Sequence, residues 1–399
     1  MRVNGWAMNE IPTAELKAQH FFTNYAFLDG SYVLLSPETP VTQELINRLA
    51  KWEFRTVKSN GKPVDSPLQA AAAVPGADSA AQKDGGQVIE VSEAEPDGEK
   101  LKGIAAAYKE YSDYIDALYT HFVTSKQINI KELMDREKTI YALIAENKRL
   151  VIRAQGIVEP NKNYLVSHAV NTSVLSIILG LSLRLPPFRL IELGAAAALH
   201  EIGMVRLPPQ LYMANRQLTE QEKKSITTHT LIGYNILKDM QAPLAISLTA
   251  LEHHERMNGS GYPRGIPGDK ISLYSRIIMV ACTYDAVTSS RPYKEAQNGY
   301  TGMVNILKNE GKQYDEMVIR ALVYSLSIYP IGSQVMLTNK QPALVIDVDS
   351  QNPRYPIVQV LGTRTPDGKE IIIHTTEAGV HILRPLTREE ISAMPNKGS

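Results

Sequence analysis

Five of the nine histidines fall within one block of the chain: His168, His200, His229, His253 and His254. Taken singly, a histidine on an apolar helix is usually a satisfied core or surface residue. As a group these are harder to dismiss. His200 is followed at once by Glu201, directly after an alanine-rich run from Gly194 to Leu199, and His253-His254-Glu255 ends a second apolar run. Imidazoles and carboxylates together suit iron, manganese or zinc. A cluster of five imidazoles with carboxylates implies more than one ion. Two divalent ions held close together can activate water and clamp a phosphoryl group, which is a hydrolytic arrangement. Coordination requires neutral imidazoles, so metal binding should weaken at low pH.

The elements that must position these residues are helical. Ile115, Leu118, Tyr119, Phe122 and Val123 recur at three and four, as do Leu133, Ile140, Leu143, Ile144 and Val151, which predicts helices across 101–155. The helical pattern continues from 156 to 330, broken by Pro and Gly. On either side the texture changes. Residues 1–60 hold a strand signal at Tyr32-Val33-Leu34-Leu35. A helix then follows, capped by Thr42, with Leu45, Ile46 and Leu49 on one face; together these predict a small α/β module. Residues 61–100 carry a run of alanines among Gly, Pro, Ser and Asp, too few apolar groups to offset ordering, and are expected to be a flexible linker. Residues 331–399 hold short β runs at Val335–Leu337, Ala343–Ile346, Ile357–Val360 and Ile371–Ile373, separated by turn residues, and predict a small antiparallel β domain. The fold class is therefore mainly α, a helical bundle with a small α/β module before it and a small antiparallel β domain after it.

Composition narrows the function. Lys plus Arg number 42 and Asp plus Glu number 42, so no net charge points to nucleic acid or an acidic membrane. A single cysteine, Cys282, allows no intrachain disulfide and suits a reducing compartment. Met1 to His20 has no apolar run of secretory length, and the greasy stretch Val174 to Leu185 is short for a bilayer and ends near Arg184. A cytoplasmic protein with no membrane and no nucleic-acid partner is the expectation.

Leu199-His200-Glu201-Ile202-Gly203 resembles the core motif of HD-superfamily phosphohydrolases. The run His253-His254-Glu255-Arg256-Met257-Asn258-Gly259-Ser260-Gly261-Tyr262-Pro263 resembles the signature of HD-GYP domains almost letter for letter, and Arg276-Ile277-Ile278 and Tyr284 to Lys294 are similar to its later segment. The resemblance covers about 170 residues and its signature is very specific. It implies an HD-type helical bundle and a phosphodiesterase that opens cyclic di-GMP to pGpG or GMP, using two divalent ions, Fe or Mn. Carried over residue by residue, it implies metal ligands at His168, His200, Glu201, His229, His253 and His254, with His200 and Glu201 at the catalytic centre. Arg291 and Lys294 would meet the substrate phosphates, where a guanidinium can bind in bidentate fashion. Tyr262 would support a guanine, and Gly259 and Gly261 would let the loop bend where other residues cannot. GGDEF-type signalling proteins and a second copy of the chain, as a homodimer, are the expected protein partners.

Departures from the pattern keep a second reading open. Glu201 stands where the family has Asp, and Cys282 aligns with another family aspartate. A thiolate can ligate Fe or Zn, though softly and without bridging like a carboxylate; a small buried apolar Cys is the plain alternative. Met204 and Ala214 replace family lysines, and Tyr164 lacks the carboxylate that would mark a third metal. The second reading is a degenerate domain that senses cyclic di-GMP or docks a partner without turnover. A hydrolase for another nucleotide is a third, less favoured because the GYP signature is so complete.

Overall fold

A computed structural model describes residues 9–23, 26–27, 33–35, 41–51, 55–59, 61–65, 96–155, 158, 161, 163–213, 216–289, 299–309, 312–348, 352–365 and 367–393. The chain divides into two compact units, Met1–Asp84 and Gly85–Ser399.

The first unit is an α/β module. Strands β1 (Asn9–Pro12), β3 (Ala26–Phe27), β4 (Val33–Leu35) and β5 (Thr56–Ser59) form one antiparallel sheet in the order β1-β5-β3-β4. A helix, Gln43–Lys51, starts where the Thr42 hydroxyl accepts the Leu45 N–H at 3.1 Å, satisfying one orphan donor of the first turn. Leu49 is buried with Val41, Val57 and Phe22, and Leu45 and Ile46 pack against them. The module reaches further than composition predicts, because β6 (Pro63–Val64) pairs with β2 (Phe21–Phe22) inside the stretch expected to be linker. At its far end the expected linker is also shorter, because residues 96–100 already belong to the Pro96–Ser125 helix; residues 66–95 lie outside the described residues.

The second unit is built on helices. The Pro96–Ser125 and Ile130–Gln155 helices pack on each other and on the bundle that follows. Ile115, Tyr119 and Phe122 are buried as the period predicts, but Val123 is 49% exposed and turns away from the apolar stripe. The Tyr164–Ser182 helix packs against the Pro96–Ser125, Ile130–Gln155, Pro187–Leu199, Leu273–Thr288 and Glu316–Leu326 helices, and Val174, Ile177, Ile178 and Leu179 are buried along it. It is longer than the greasy stretch the sequence suggests, and it is long and apolar enough to cross a membrane by length and composition. That character has a local cause, since 78% of its apolar window is buried inside the protein. Ala195–Ala198, all buried, let the Pro187–Leu199 helix approach it closely. The Leu244–Glu252, Leu273–Thr288 and Glu316–Leu326 helices complete the core. Each fully buried Leu or Ile here contributes roughly 1.5–3 kcal/mol of transfer free energy.

The chain then turns at Gly332, whose φ of +88° favours glycine. Five antiparallel strands follow in the order β10 (Glu370–His374), β9 (Ile357–Arg364), β8 (Pro342–Asp347), β7 (Gln334–Leu337), β11 (Ile382–Pro385). Val335, Val345, Val358 and Val360 alternate inward, as period-two patterning requires. Sequence reading finds four of these strands and not β11, which buries no alternating face. Arg149 ties the sheet to the bundle through Asp347 at 2.7 Å.

Candidate metal centre

Three of the five histidines lie where one helix stops. His200 directly follows Leu199, the last residue of the Pro187–Leu199 helix, and His253 directly follows Glu252 at the end of Leu244–Glu252. His229 lies three residues beyond Ile226, the last residue of Glu220–Ile226. A helix leaves its last carbonyls without partners, and these rings take them. Nδ1 of His200 donates to Ala197 O at 2.6 Å, that of His229 to Ile226 O at 2.7 Å, and that of His253 to Ala250 O at 3.1 Å and Thr249 O at 3.2 Å. A carbonyl only accepts, so each Nδ1 carries the proton. In the neutral ring each Nε2 then presents a lone pair to the centre, the usual orientation for a metal-bound imidazole. Burial first, then the neighbouring imidazoles, holds His253 and His254 well below the ordinary histidine range and therefore neutral.

His168 is different. It lies within the Tyr164–Ser182 helix, where carbonyls are already bonded, and its Nδ1 instead meets Asp285 Oδ2 at 2.5 Å. The other Asp285 oxygen accepts from Asn171 Nδ2 and from Ser289 Oγ, each at 2.7 Å. Asn171 in turn accepts the Tyr108 hydroxyl. On its inner side His168 Nε2 lies 3.4 Å from Cys282 Sγ. Burial alone would raise the Cys282 thiol, but the adjacent His168 more than offsets this and lowers it to about 6. Burial would lower His168, yet Cys282 and Asp285 raise it to about 10.

Glu201 connects the two sides. Its carboxylate lies 3.3 Å from His229 Nε2 and 4.0 Å from His200 Nε2. Burial would raise its carboxyl, but the surrounding imidazoles, His229 first, lower it to about 2 and keep it ionised. Its placement depends on Gly203. A Cβ there would lie 2.0 Å from the His229 carbonyl oxygen and 2.6 Å from Gly233 N, so only glycine lets the turn after Glu201 lie against the helix that carries His229.

The donor atoms form two groups, Glu201 with His229, His253 and His254, and His168 with His200 and Cys282; within each, all ligand atoms lie within 4.8 Å of one another. Their chemistry fits cations. Among the described residues, His200 Nε2 and Glu201 Oε2 are buried without a hydrogen-bond partner. The Nε2 atoms of His229 and His253 face each other at 3.2 Å, although each ring has its proton on the far side. Facing lone pairs and an orphaned carboxylate oxygen are costly in a buried site unless a positive charge lies among them.

The GYP loop closes over one group. Tyr262 stacks on His254, with centroids 4.7 Å apart and planes 20° apart, so one ring face is already covered by a candidate ligand. The Tyr262–Pro263 peptide is cis. Buried Glu255 shapes the loop by accepting Arg264 N–H at 2.8 Å and Ile266 N–H at 3.2 Å, and Glu252 accepts Ser272 N–H at 3.0 Å and Ser275 Oγ at 2.9 Å. The motif carboxylate Glu255 and its neighbour Glu252 are thus structural. Gly259 has φ +76° as expected, but Gly261 does not adopt a left-handed φ. It is glycine because a Cβ would lie 2.4 Å from Glu255 Cα; the second left-handed position is Gly265, at +62°.

All seven residues expected to hold metal are therefore brought together, and Tyr262 and Gly261 lie beside them. Met204 is buried, three residues after Glu201, and Tyr164 packs on Tyr212. Arg291, Lys294 and Ala214 lie outside the described residues. Sequence reasoning missed the supports Asp285, Asn171 and Tyr108. A signal for two of them exists: Asp285 lies three residues after Cys282, and Asn171 three after His168, so each shares a helix face with a candidate ligand.

Comparison with known proteins agrees with this geometry. Residues 143–318 match the HD domain family. The chain is 30% identical over 246 residues to cyclic di-GMP phosphodiesterase PdeB of Borreliella burgdorferi, covering 59% of this chain and 64% of that one. It is 33% identical over 198 residues to cyclic di-GMP phosphodiesterase PA4108 of Pseudomonas aeruginosa, covering 49% of this chain and 48% of that one. Of each relative, then, this chain spans about half to just under two thirds. Among solved structures, Bd1817, an HDG"Y"P protein from Bdellovibrio bacteriovorus, aligns with a TM-score of 0.48 at 15% identity over 79% of this chain and 98% of that chain. Residues 143–318, with their histidine-rich centre and GYP loop, thus match the HD domain and resemble its HD-GYP type.

Proposed function

We propose that this chain is a metal-dependent phosphodiesterase that opens cyclic di-GMP to pGpG or GMP at a centre for two divalent ions, Fe or Mn. One observation carries the reading: four imidazoles whose Nδ1 atoms are anchored outward present their Nε2 atoms, with Glu201, to one buried centre. The names of the relatives, both cyclic di-GMP phosphodiesterases, supply the substrate. When bound, the ions would supply Lewis acidity at the phosphoryl group and a nucleophile from water. The chain's own residues do the rest. His168 and His200 hold one side and His229, His253 and His254 the other, while Glu201 spans them as a carboxylate ionised at neutral pH. Tyr262 fixes His254 with one ring face and offers the other to a guanine. Arg291 and Lys294 neutralise the substrate phosphates and the charge growing on the leaving oxygen.

A second reading, a non-catalytic cyclic di-GMP sensor or a docking site for GGDEF-type proteins, draws on the thiol of Cys282 in a centre that otherwise offers harder donors. One experiment separates them: metal content of anaerobically purified protein together with cyclic di-GMP turnover. Two metals per chain with pGpG or GMP as product supports the enzyme. Two metals with tight binding and no turnover supports the sensor. Less than one metal per chain removes the metal-centre reading. Membership of soluble signalling, in the cytoplasm and as a homodimer, belongs to the same proposal and is tested by fractionation and by solution mass.

A further inference from the structure

We infer that Cys282 is a thiolate ligand, which makes the His168–His200 side of the centre a nitrogen–sulfur site while the Glu201 side is a nitrogen–oxygen site. The inference rests on the proposal that the cluster holds metal.

A cysteine used only for packing has apolar neighbours on its open side. Cys282 has imidazole nitrogens there. Its Sγ lies 3.4 Å from His168 Nε2, and Sγ, that Nε2 and a ligand nitrogen of His200 lie within 4.8 Å of one another, with all three residues buried. The His200 ring adds an independent sign: its Nδ1 is committed to Ala197 O, and its Nε2 is buried, without a hydrogen-bond partner among the described residues and directed into the centre. Packing elsewhere along the helix sets where the sulfur lies. Ile278, Met279, Val280 and Ala281 are fully buried and fix the rotation of Leu273–Thr288, and Asp285, one turn on, grips His168 from behind. The sulfur thus lies beside one nitrogen of the His168 ring, and the Asp285 carboxylate holds the other.

Two consequences follow from donor chemistry. A thiolate prefers Fe, Co or Zn to Mn, so the two sides should differ in metal preference. It also bridges poorly, which leaves Glu201 as the carboxylate joining the two groups among the described residues.

Anaerobic titration of metal-free protein with Co(II) tests this without reference to activity. Sulfur bound to Co(II) gives intense charge-transfer absorption to the red of the aromatic bands. Cys282 is the only cysteine in the chain, so such a band in the wild-type protein has one source, even if a variant fails to fold. We expect the band to grow with one of two Co(II) equivalents. Cys282→Ser should lose it, and Cys282→Asp should lose it while binding Mn(II) at least tenfold more tightly. Two Co(II) bound by wild-type protein without the band would overturn the thiolate ligand and leave the metal centre standing. No Co(II) binding at all would overturn both.

Discussion

The histidines of the centre solve one problem in two different ways. A coordinating imidazole needs its far nitrogen held. His200, His229 and His253 lie just past helix ends and use backbone carbonyls that would otherwise be orphans. His168 is inside a helix, where no carbonyl is free, and borrows a carboxylate from the Leu273–Thr288 helix, which in turn leans on Asn171 and Tyr108. The first solution is local, since each contact spans three or four residues. The second joins residues 108, 168, 171 and 285. Anchors made of backbone resist side-chain substitution, so the ligands at helix ends should fail only when their backbone is moved. The His168 side should be adjustable by single side chains.

The largest effect is expected from moving that backbone. Gly203→Ala introduces a Cβ 2.0 Å from the His229 carbonyl oxygen, and the obstacle is backbone, which cannot rotate away. The turn carrying Glu201 must separate from the helix carrying His229. Overpacking of this kind costs about 3 kcal/mol, visible as a lower urea midpoint. Metal should be lost from the Glu201 side as well. A variant with wild-type stability and full metal content would mean that backbone contact does not set this side.

The next effect contrasts two buried carboxyl groups. Glu201 faces imidazoles and is held at about 2. Glu137 is equally buried behind the His168 helix, but burial dominates, partly offset by hydrogen bonds from Tyr111 and Ser173, and raises it to about 8. An unfolded glutamate ionises near 4.5 while the folded one stays protonated up to about 8. Folding then holds the extra proton, so this group's contribution to stability is full below the lower value and is lost as pH rises through the window. Glu137→Gln keeps the shape and cannot ionise. Relative to wild type it should gain about 2 kcal/mol between pH 5 and pH 8.5, part of the ~1.4 kcal/mol per unit that linkage allows. Parallel stability–pH curves for the two proteins would show that Glu137 is ionised in the folded state.

The same contrast explains what could be read from sequence. His200, His253 and their neighbours belong to contiguous motifs, and helix and strand periods place the elements around them. Gly261 was readable as a special glycine but not for the right reason, because a close backbone approach leaves no trace distinguishable from a left-handed φ. The supports of His168 were not readable as a set. Tyr108 lies 63 residues from Asn171, and Asn171 lies 114 from Asp285, and no local spacing links positions brought together only by helix packing. β11 escaped because its burial does not alternate.

Removing the charge behind His168 is expected to act on one side alone. In Asp285→Asn the oxygen side of the amide can meet either Asn171 and Ser289, which donate, or His168 Nδ1, which also donates. One of the two contacts must then face an NH2 group. Loss of such an outer partner typically weakens metal binding about ten- to a hundredfold. Co(II) titration should show one equivalent bound as in wild type and the other weakened by that factor. Equal weakening of both would erase the proposed difference between the sides.

The smallest effect belongs to the end of the chain of contacts. Tyr108 comes from the Pro96–Ser125 helix, donates its hydroxyl to Asn171 and receives Gln155 Nε2 at 3.4 Å. It touches no candidate ligand, so it acts as a positioning residue through Asn171 and Asp285. Tyr108→Phe deletes both hydrogen bonds, each worth about 1 kcal/mol, and by losing the one to Asn171 should weaken the His168-side metal a few fold. A purely structural role would lower stability by the same amount and leave metal binding alone. A double-mutant cycle distinguishes the two. If the hydroxyl acts through Asp285, Tyr108→Phe should change metal affinity in the wild type and have no further effect in Asp285→Asn, because the link it feeds is already broken. Additive losses in the two backgrounds would show that Tyr108 reaches the centre by packing, and that the His168 side is held by Asp285 and Asn171 without help from the first helix of the bundle.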